Sequence, residues 1–350
     1  MDEKRVREAV ANRKKYRDAN SRYNFWIAGT AAVVLAACAA VLFGEDTGPL
    51  EILVNDPTLI THVNRNAKGW QAGEVAFFKG WTIGDVQKLG GVKVSNQAGS
   101  LTECTLPDVT PPRHFDARER WPQCFSSVYD MGNCSASWAI AVAGSVTNRL
   151  CISNPENTEL ELSAQQLLSC ERKFGNGCEG GMLDMVWSYI KQEGLVSSTC
   201  FPYKANGTTP CSYCNEEEPK QLASICRLST ADSIRREIFL NGPVVAPVTL
   251  MNDFLVYRSG IYRETRTATQ LVDLNRQRQL HAVKVIGWGA EETSGREFWI
   301  IENSFGKEWG EKGYAKIELS KGREGILLSE FAFAGTPVNP KVHRAKLQSE

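Results

Sequence analysis

The chain has 350 residues, enough for one large domain or two smaller ones. Its 40 Lys and Arg balance 40 Asp and Glu, so no bulk charge draws it to nucleic acid, and no nucleic-acid partner is expected. Of its 11 cysteines, all but Cys38 lie between Cys104 and Cys226, which reads as a disulfide framework in an oxidising compartment. With only 4 histidines (His62, His114, His281, His343) and a lone Cys211-Ser-Tyr-Cys214, neither a metal site nor a cofactor is expected.

Residues 1–24 form a basic tail carrying Lys4, Arg5, Arg7, Arg13, Lys14, Lys15, Arg17 and Arg22. Residues 25–44, Phe25 to Gly44, hold no charge. A run of about 20 residues spans roughly 30 Å as a helix, the thickness of a hydrocarbon core. Glu45, Asp46, Glu51 and Asp56 follow, so charge asymmetry leaves the N-terminus cytosolic and sends the rest across. The rival reading is a cleaved signal peptide ending at Ala37-Cys38-Ala39. The length of the run and of its leading tail favours an uncleaved anchor. Either way, the other cysteines reach a lumenal or extracellular space along the secretory or endo-lysosomal route.

Residues 45–110 show modest hydrophobicity and no strong helical repeat, and Thr110-Pro111-Pro112 marks a boundary. Beyond it, helical patterns cover Ser137 to Leu150, Leu162 to Cys170, and Met182 to Gln192, where Met182, Val186, Tyr189 and Ile190 share a face. Another helix starts at the Thr230-Ala231-Asp232-Ser233 cap, runs through Ile234, Ile238 and Phe239, and stops at Asn241-Gly242-Pro243. The pattern then turns to strands, with His281 to Gly287 and Phe298 to Ile301 flanking the turn-rich 291–296. A helical half followed by a β half predicts an α+β fold.

The segment Cys134-Ser135-Ala136-Ser137-Trp138 resembles the C-G-[SA]-C-W signature of papain and the cathepsins. His281-Ala-Val-Lys-Val-Ile-Gly-Trp-Gly is similar to the family's H-A-V-x-x-x-G-[YW]-G. Glu302-Asn303-Ser304-Phe305-Gly306 with Trp309-Gly310 behind it is similar to N-S-W-G…W-G, and Gly177-Cys178-Glu179-Gly180-Gly181 to G-C-x-G-G. Trp121-Pro122-Gln123-Cys124 and Arg149-Leu150-Cys151-Ile152 resemble the cathepsin B subgroup. The resemblance implies a papain-like two-lobe α+β fold over 111–338, with a helical left lobe, a β-barrel-like right lobe and a cleft between. Residues 339–350 are left as a tail. Trp70-Gln71-Ala72-Gly73 resembles an element of cathepsin B-type propeptides, which makes 45–110 propeptide-like. The family position implies the bridges Cys124–Cys151 and Cys134–Cys178. Pairing of the remaining cysteines stays open, except that Cys104 is expected to bridge to the main domain and hold the prosegment in place.

In this family a cysteine at a helix N-terminus is the nucleophile, a histidine takes its proton and an asparagine holds the imidazole. The resemblance assigns these roles to Ser137, His281 and Asn303, and substrate contacts to Gly180, Gly181 and Trp309, although Trp309 equally suits a core position. Ser137 thus stands where the thiol should be. Met131, in Asp130-Met131-Gly132, occupies the place of a glutamine that donates to the oxyanion. A thioether has no N–H, and losing one such donor costs roughly 10²–10³ in rate. Phe305 replaces a tryptophan that shields the Asn–His bond, and the Arg-rich 263–280 is expected to crowd the cleft. No histidine pair lies between Cys200 and Cys214, so exopeptidase trimming is not implied.

These departures predict an inactive cathepsin B-like protein, anchored through 25–44, that binds a peptide or protein in its cleft. One alternative is a hydrolase using Ser137, His281 and Asn303. Another is a regulator acting on an active cathepsin or its inhibitor. Asn206-Gly207-Thr208 is a glycosylation sequon on a loop.

Overall fold

Asp56 begins the first helix. Its carboxylate accepts from the Thr58 and Leu59 backbone N–H groups, and Pro57 fills the first helical position, giving α1 (Pro57–Asn66). Strand β1 (Trp70–Ala72) follows, then α2 (Ile83–Gln87), opened by a Thr82/Asp85 capping box, and β2 (Val92–Lys93). Cap chemistry starts these helices, and in α1 Leu59, Ile60 and Val63 turn one apolar face to the core. Their apolar residues are committed: Val54, Val63, Phe78, Val86 and Leu89 are buried in the main core. Burying an aliphatic side chain contributes about 1.5–3 kcal/mol, so this segment is packed rather than draped.

The coordinates are a computed structural model that describes residues 51–338 apart from 97, 99–100, 126–127, 215, 274, 320–326 and 328–330. The basic tail 1–24, the apolar run 25–44 and the tail 339–350 lie outside the described residues. Among the described residues no helix is long and apolar enough to cross a membrane.

After β3 (Phe115–Asp116) and α3 (Ala117–Arg120) comes α4 (Ser137–Ser153). Helix α4 is buried around nearly its whole circumference, as its Ala- and Val-rich sequence requires. Helix α5 (Ala164–Cys170) starts later than the Leu162 pattern because Ser163 caps it, its hydroxyl accepting from Gln166 N–H at 3.0 Å. Gly181–Met182 forms β4, and α6 begins only at Val186 (Val186–Gln192), so Met182 belongs to a strand and not to the predicted helix. Strand β5 (Leu222–Leu228) precedes α7 (Ala231–Asn241), which has the Thr230/Ser233 capping box and ends at Gly242 with φ 101°. The remaining strands are β6 (Val244–Thr249), β7 (Tyr257–Tyr262), β8 (Leu280–Ala290), β9 (Glu297–Glu302), β10 (Tyr314–Glu318) and β11 (Ala332–Pro337).

The sheet corrects the expected barrel. Its 9 strands follow the order β1-β7-β10-β9-β8-β6-β11-β5, with β3 added on β8, and the path has two ends. Both ends are met by residues from the N-terminal side of the boundary. Strand β1 pairs antiparallel with β7 at one edge. At the other, Arg227 N–H donates to Thr102 O at 2.9 Å and Cys104 N–H donates to Arg227 O at 3.0 Å. Edge groups that would otherwise remain unpaired are satisfied by the prosegment-like chain. Disulfides join Cys104–Cys226, Cys124–Cys151, Cys134–Cys178, Cys170–Cys211 and Cys200–Cys214. These bridges place the folded part in an oxidising compartment.

Candidate functional site

The N-terminus of α4 meets β8 at Ala282, and Ser137, His281 and Asn303 are all buried there. The preceding Ala136 supplies no side-chain cap. The Ser137 Oγ accepts the Ala282 backbone N–H at 3.1 Å. His281 Nε2 lies 2.7 Å from Asn303 Oδ1, which also accepts Ser304 N–H at 2.7 Å. An amide oxygen only accepts, so Nε2 carries the proton and donates it. Among the described residues His281 Nδ1 and Asn303 Nδ2 have no hydrogen-bond partner. Burial lowers the His281 pKa to about 4, against a smaller opposing effect of the Asn303 bond. The ring is therefore neutral at pH 7, with the Nδ1 lone pair free to act as a base.

Met131 is buried, and its sulfur accepts from Ser304 Oγ at 3.4 Å, so the side chain offers no donor towards the Ser137 position. Phe305 covers His281 at a centroid distance of 4.6 Å. Trp309 takes the core position that its type also suited. Its indole N–H donates to Leu255 O at 3.1 Å and its ring packs on Phe254 at 5.1 Å, leaving no face open to a ligand.

The cleft is occupied by the chain itself. Strand β2 pairs parallel with β4. Gly181 N–H donates to Gly91 O at 3.1 Å and Leu183 N–H donates to Lys93 O at 2.8 Å. The Ser135 hydroxyl accepts Gly91 N–H at 2.8 Å and donates to Leu89 O at 2.8 Å. Gly180 has φ 106°, and a Cβ there would stand 1.9 Å from Gly91 O. On the far side, Leu280 bridges to Gly91, and Gln279 packs so closely on Gly90 that a Cβ there would meet its Oε1 at 1.8 Å. The end of the 263–280 segment thus meets the prosegment-like chain at Gly90 and Gly91. Phe77 and Phe78 lie on Phe305 at 5.2 and 5.1 Å. Gly90, Gly91 and Ser135 were not singled out from sequence; the Gly90-Gly91 pair was the only local sign of a close backbone approach.

Asn206 is exposed on the loop beside Cys178, its Oδ1 accepting from Thr208 N–H at 2.9 Å. Cys200, Cys214 and Glu217 bring three metal-type donor atoms within 4.8 Å of one another. The two sulfurs are bonded to each other, and Glu217 binds Ser197 N–H and Oγ at 2.7 and 2.6 Å, so this group holds no free thiolate for a metal.

Residues 111–333 match the profile of the papain family cysteine proteases. The chain belongs to this family. Bovine (Bos taurus) tubulointerstitial nephritis antigen is 34% identical over 293 residues, covering 75% of this chain and 62% of that protein. Human (Homo sapiens) tubulointerstitial nephritis antigen-like is 32% identical over 297 residues, covering 75% of this chain and 64% of that protein. The papain-family chain thus spans less than two thirds of the length of these relatives. Cathepsin B-like cysteine proteinase 2 of Haemonchus contortus is 32% identical over 278 residues, covering 69% of this chain and 78% of that protein. Among solved structures, proCathepsin B S9 from Trypanosoma congolense aligns with a TM-score of 0.72 at 29% identity, covering 82% of this chain and 100% of that one. This is therefore a cathepsin B-like member of the papain family, with structural neighbours solved as proforms.

Proposed function

We propose that this papain-family protein does not turn over peptides, and that its cleft region serves as a binding surface for a peptide or protein while the chain is tethered through 25–44. The observation that carries this reading is the state of Ser137. Its hydroxyl accepts from Ala282 N–H, and no bond joins it to His281. A hydroxyl ionises far above a thiol, and a helix N-terminus contributes only about 0.3–1 kcal/mol towards an anion. His281 is neutral and provides no imidazolium partner. Met131 adds no oxyanion donor. A glycan at Asn206 and a lumenal or extracellular location belong to the same reading.

One observation favours a second reading, a serine hydrolase. The Nδ1 lone pair of His281 has no partner while Asn303 fixes the opposite nitrogen, which is the orientation a general base needs. The two readings separate on the purified Cys104→Ser, Cys226→Ser protein, cleaved after the boundary and freed of its prosegment-like segment, which the Cys104–Cys226 bridge would otherwise keep attached. Hydrolysis of a broad fluorogenic peptide panel, and labelling by a fluorophosphonate probe, are measured with Ser137→Ala as blank. We expect no difference from the blank. Turnover or labelling that disappears in Ser137→Ala establishes the hydrolase instead.

A further inference from the structure

Among the described residues three large apolar side chains are exposed, and two of them are neighbours: Ile52 at 39% and Leu53 at 46%. The third, Met182, belongs to β4 beside the cleft. The backbone at Ile52 and Leu53 is fixed, so the pair is presented rather than loose. Val54 N–H donates to Trp81 O at 2.9 Å, Ile83 N–H donates to Ile52 O at 2.8 Å, and Leu53 bridges to Thr82. Side chains alternate along such a pair. Val54 and Ile83 take the core side, while Leu53 and Thr82 are left on the outer side. Lys79 and Gly80 are exposed next to a half-buried Trp81, whose ring packs on Phe77 at 5.6 Å. Two aliphatic side chains thus sit beside an indole and an ammonium.

We propose that this patch docks on the lipid surface, with Ile52 and Leu53 at the boundary between headgroups and acyl chains, and so holds the folded body against the membrane. Docking of this kind rests on the tether through 25–44 in the proposed function. From Gly44, the last residue of the uncharged run, to Ile52 is a step of eight residues, which reaches at most about 29 Å when fully extended. The tether therefore keeps the patch within that distance of the bilayer. Two side chains are too few for a free protein partner, because a stable protein interface buries about 1,200–2,000 Å². They suffice for a body already held at the surface, where docking is intramolecular. An indole and a lysine settle at headgroup level, apolar parts inwards and polar ends in water. Glu51 is exposed beside Ile52, and its charge confines the patch to the boundary layer.

The test uses the full chain in phosphatidylcholine nanodiscs, made with plain lipid or with lipid brominated on its acyl chains near the headgroup, which quenches an indole on contact. The part of the quenching that disappears in Trp81→Phe belongs to Trp81. Ile52→Ser with Leu53→Ser changes only exposed side chains, and Met182→Ser is the control at the other exposed apolar residue. Trp81 should be quenched in wild type and in the control. Its quenching should fall about fivefold in the double variant, as losing the burial of two half-exposed aliphatic side chains requires. Retention of the full chain in carbonate-washed vesicles is measured alongside and reports the tether by itself. A retained chain with unquenched Trp81, or equal quenching in the double variant, overturns the docking and leaves the tether standing. A chain extracted by carbonate overturns the tether and the docking with it. A lipid-free dimer of the chain from residue 45 onward that the double variant fails to form assigns the patch to a second copy, and overturns the assignment to lipid.

Discussion

The carbonyl oxygen of Gly91 accepts the Gly181 N–H at 3.1 Å, and this lays the prosegment-like chain along the Gly181–Met182 strand. The approach is possible because Gly91 lacks a side chain: a Cβ there would meet Ser135 Oγ at 2.5 Å, Glu179 O at 2.7 Å and Gly180 Cα at 2.8 Å. Two of these are backbone atoms, which yield poorly. Gly91→Val should therefore lift β2 from β4 at a cost of about 1–3 kcal/mol. Amide exchange at Gly181 and Leu183 should rise while that of β8 and β9 stays slow. Unchanged exchange at Gly181 would show that the cleft contact does not hold the prosegment there.

Cysteine in place of Ser137 should not be enough to create a peptidase. Ser137→Cys supplies a nucleophile, yet Met131 still offers no N–H to a developing oxyanion, and its sulfur already engages Ser304. In protein cleaved at the boundary and lacking the Cys104–Cys226 bridge, the double variant Ser137→Cys with Met131→Gln should exceed Ser137→Cys alone by about 10²–10³ in turnover. Equal rates in the two variants would mean that backbone donors suffice and that Met131 is not a functional loss.

The buried imidazole makes stability depend on pH in a defined window. The His281 pKa falls from 6.5 to about 4 on folding, because burial penalises the charged ring. Between these values the unfolded chain binds a proton that the folded chain does not, so stability drops as pH falls through the window and is unaffected above it. Relative to His281→Phe, the wild type should lose up to about 3 kcal/mol between pH 7 and pH 4, at 1.36 kcal/mol per unit. Urea melts of both proteins across this range measure the difference. Parallel pH profiles would show that His281 is not the group responsible.

How much of this was legible in the sequence depended on how local the cause was. Helix α7 was readable at both ends because Thr230 and Ser233 cap it and Gly242 ends it with a positive φ. Helix α1 does carry local signs, the Asp56-Pro57 start and an apolar face of Leu59, Ile60 and Val63, but that face is only three residues long and spans little more than one turn. The open sheet was misjudged as a barrel because its edges are settled by β1 on β7 and by Thr102 and Cys104 on Arg227, pairings between distant segments with no local mark. At the site, motif spacing pointed to Ser137, His281 and Asn303. The bond from Ala282 N–H to Ser137, and the occupation of the cleft by Gly91, follow from tertiary packing and leave no trace in spacing.

The bridge between Cys104 and Cys226 would hold the prosegment-like chain in place after a cut at the boundary. Cys104 lies before the boundary and Cys226 in β5, 122 residues apart, so a cut between them nicks the chain without freeing the N-terminal part. Arg113 is exposed just after the boundary and is a site where trypsin can act. Limited trypsin treatment should give a product that migrates as one species on a non-reducing gel and separates into prosegment and main domain after reduction. In the Cys104→Ser, Cys226→Ser variant the same cut should leave only the non-covalent contacts: β1 on β7, β2 on β4, and Phe77 and Phe78 on Phe305. Gel filtration at low concentration should then show a free prosegment fraction that is absent from the cut wild type. Release of the prosegment from cut wild type without reductant would remove the tether and with it the argument that the cleft stays covered after processing.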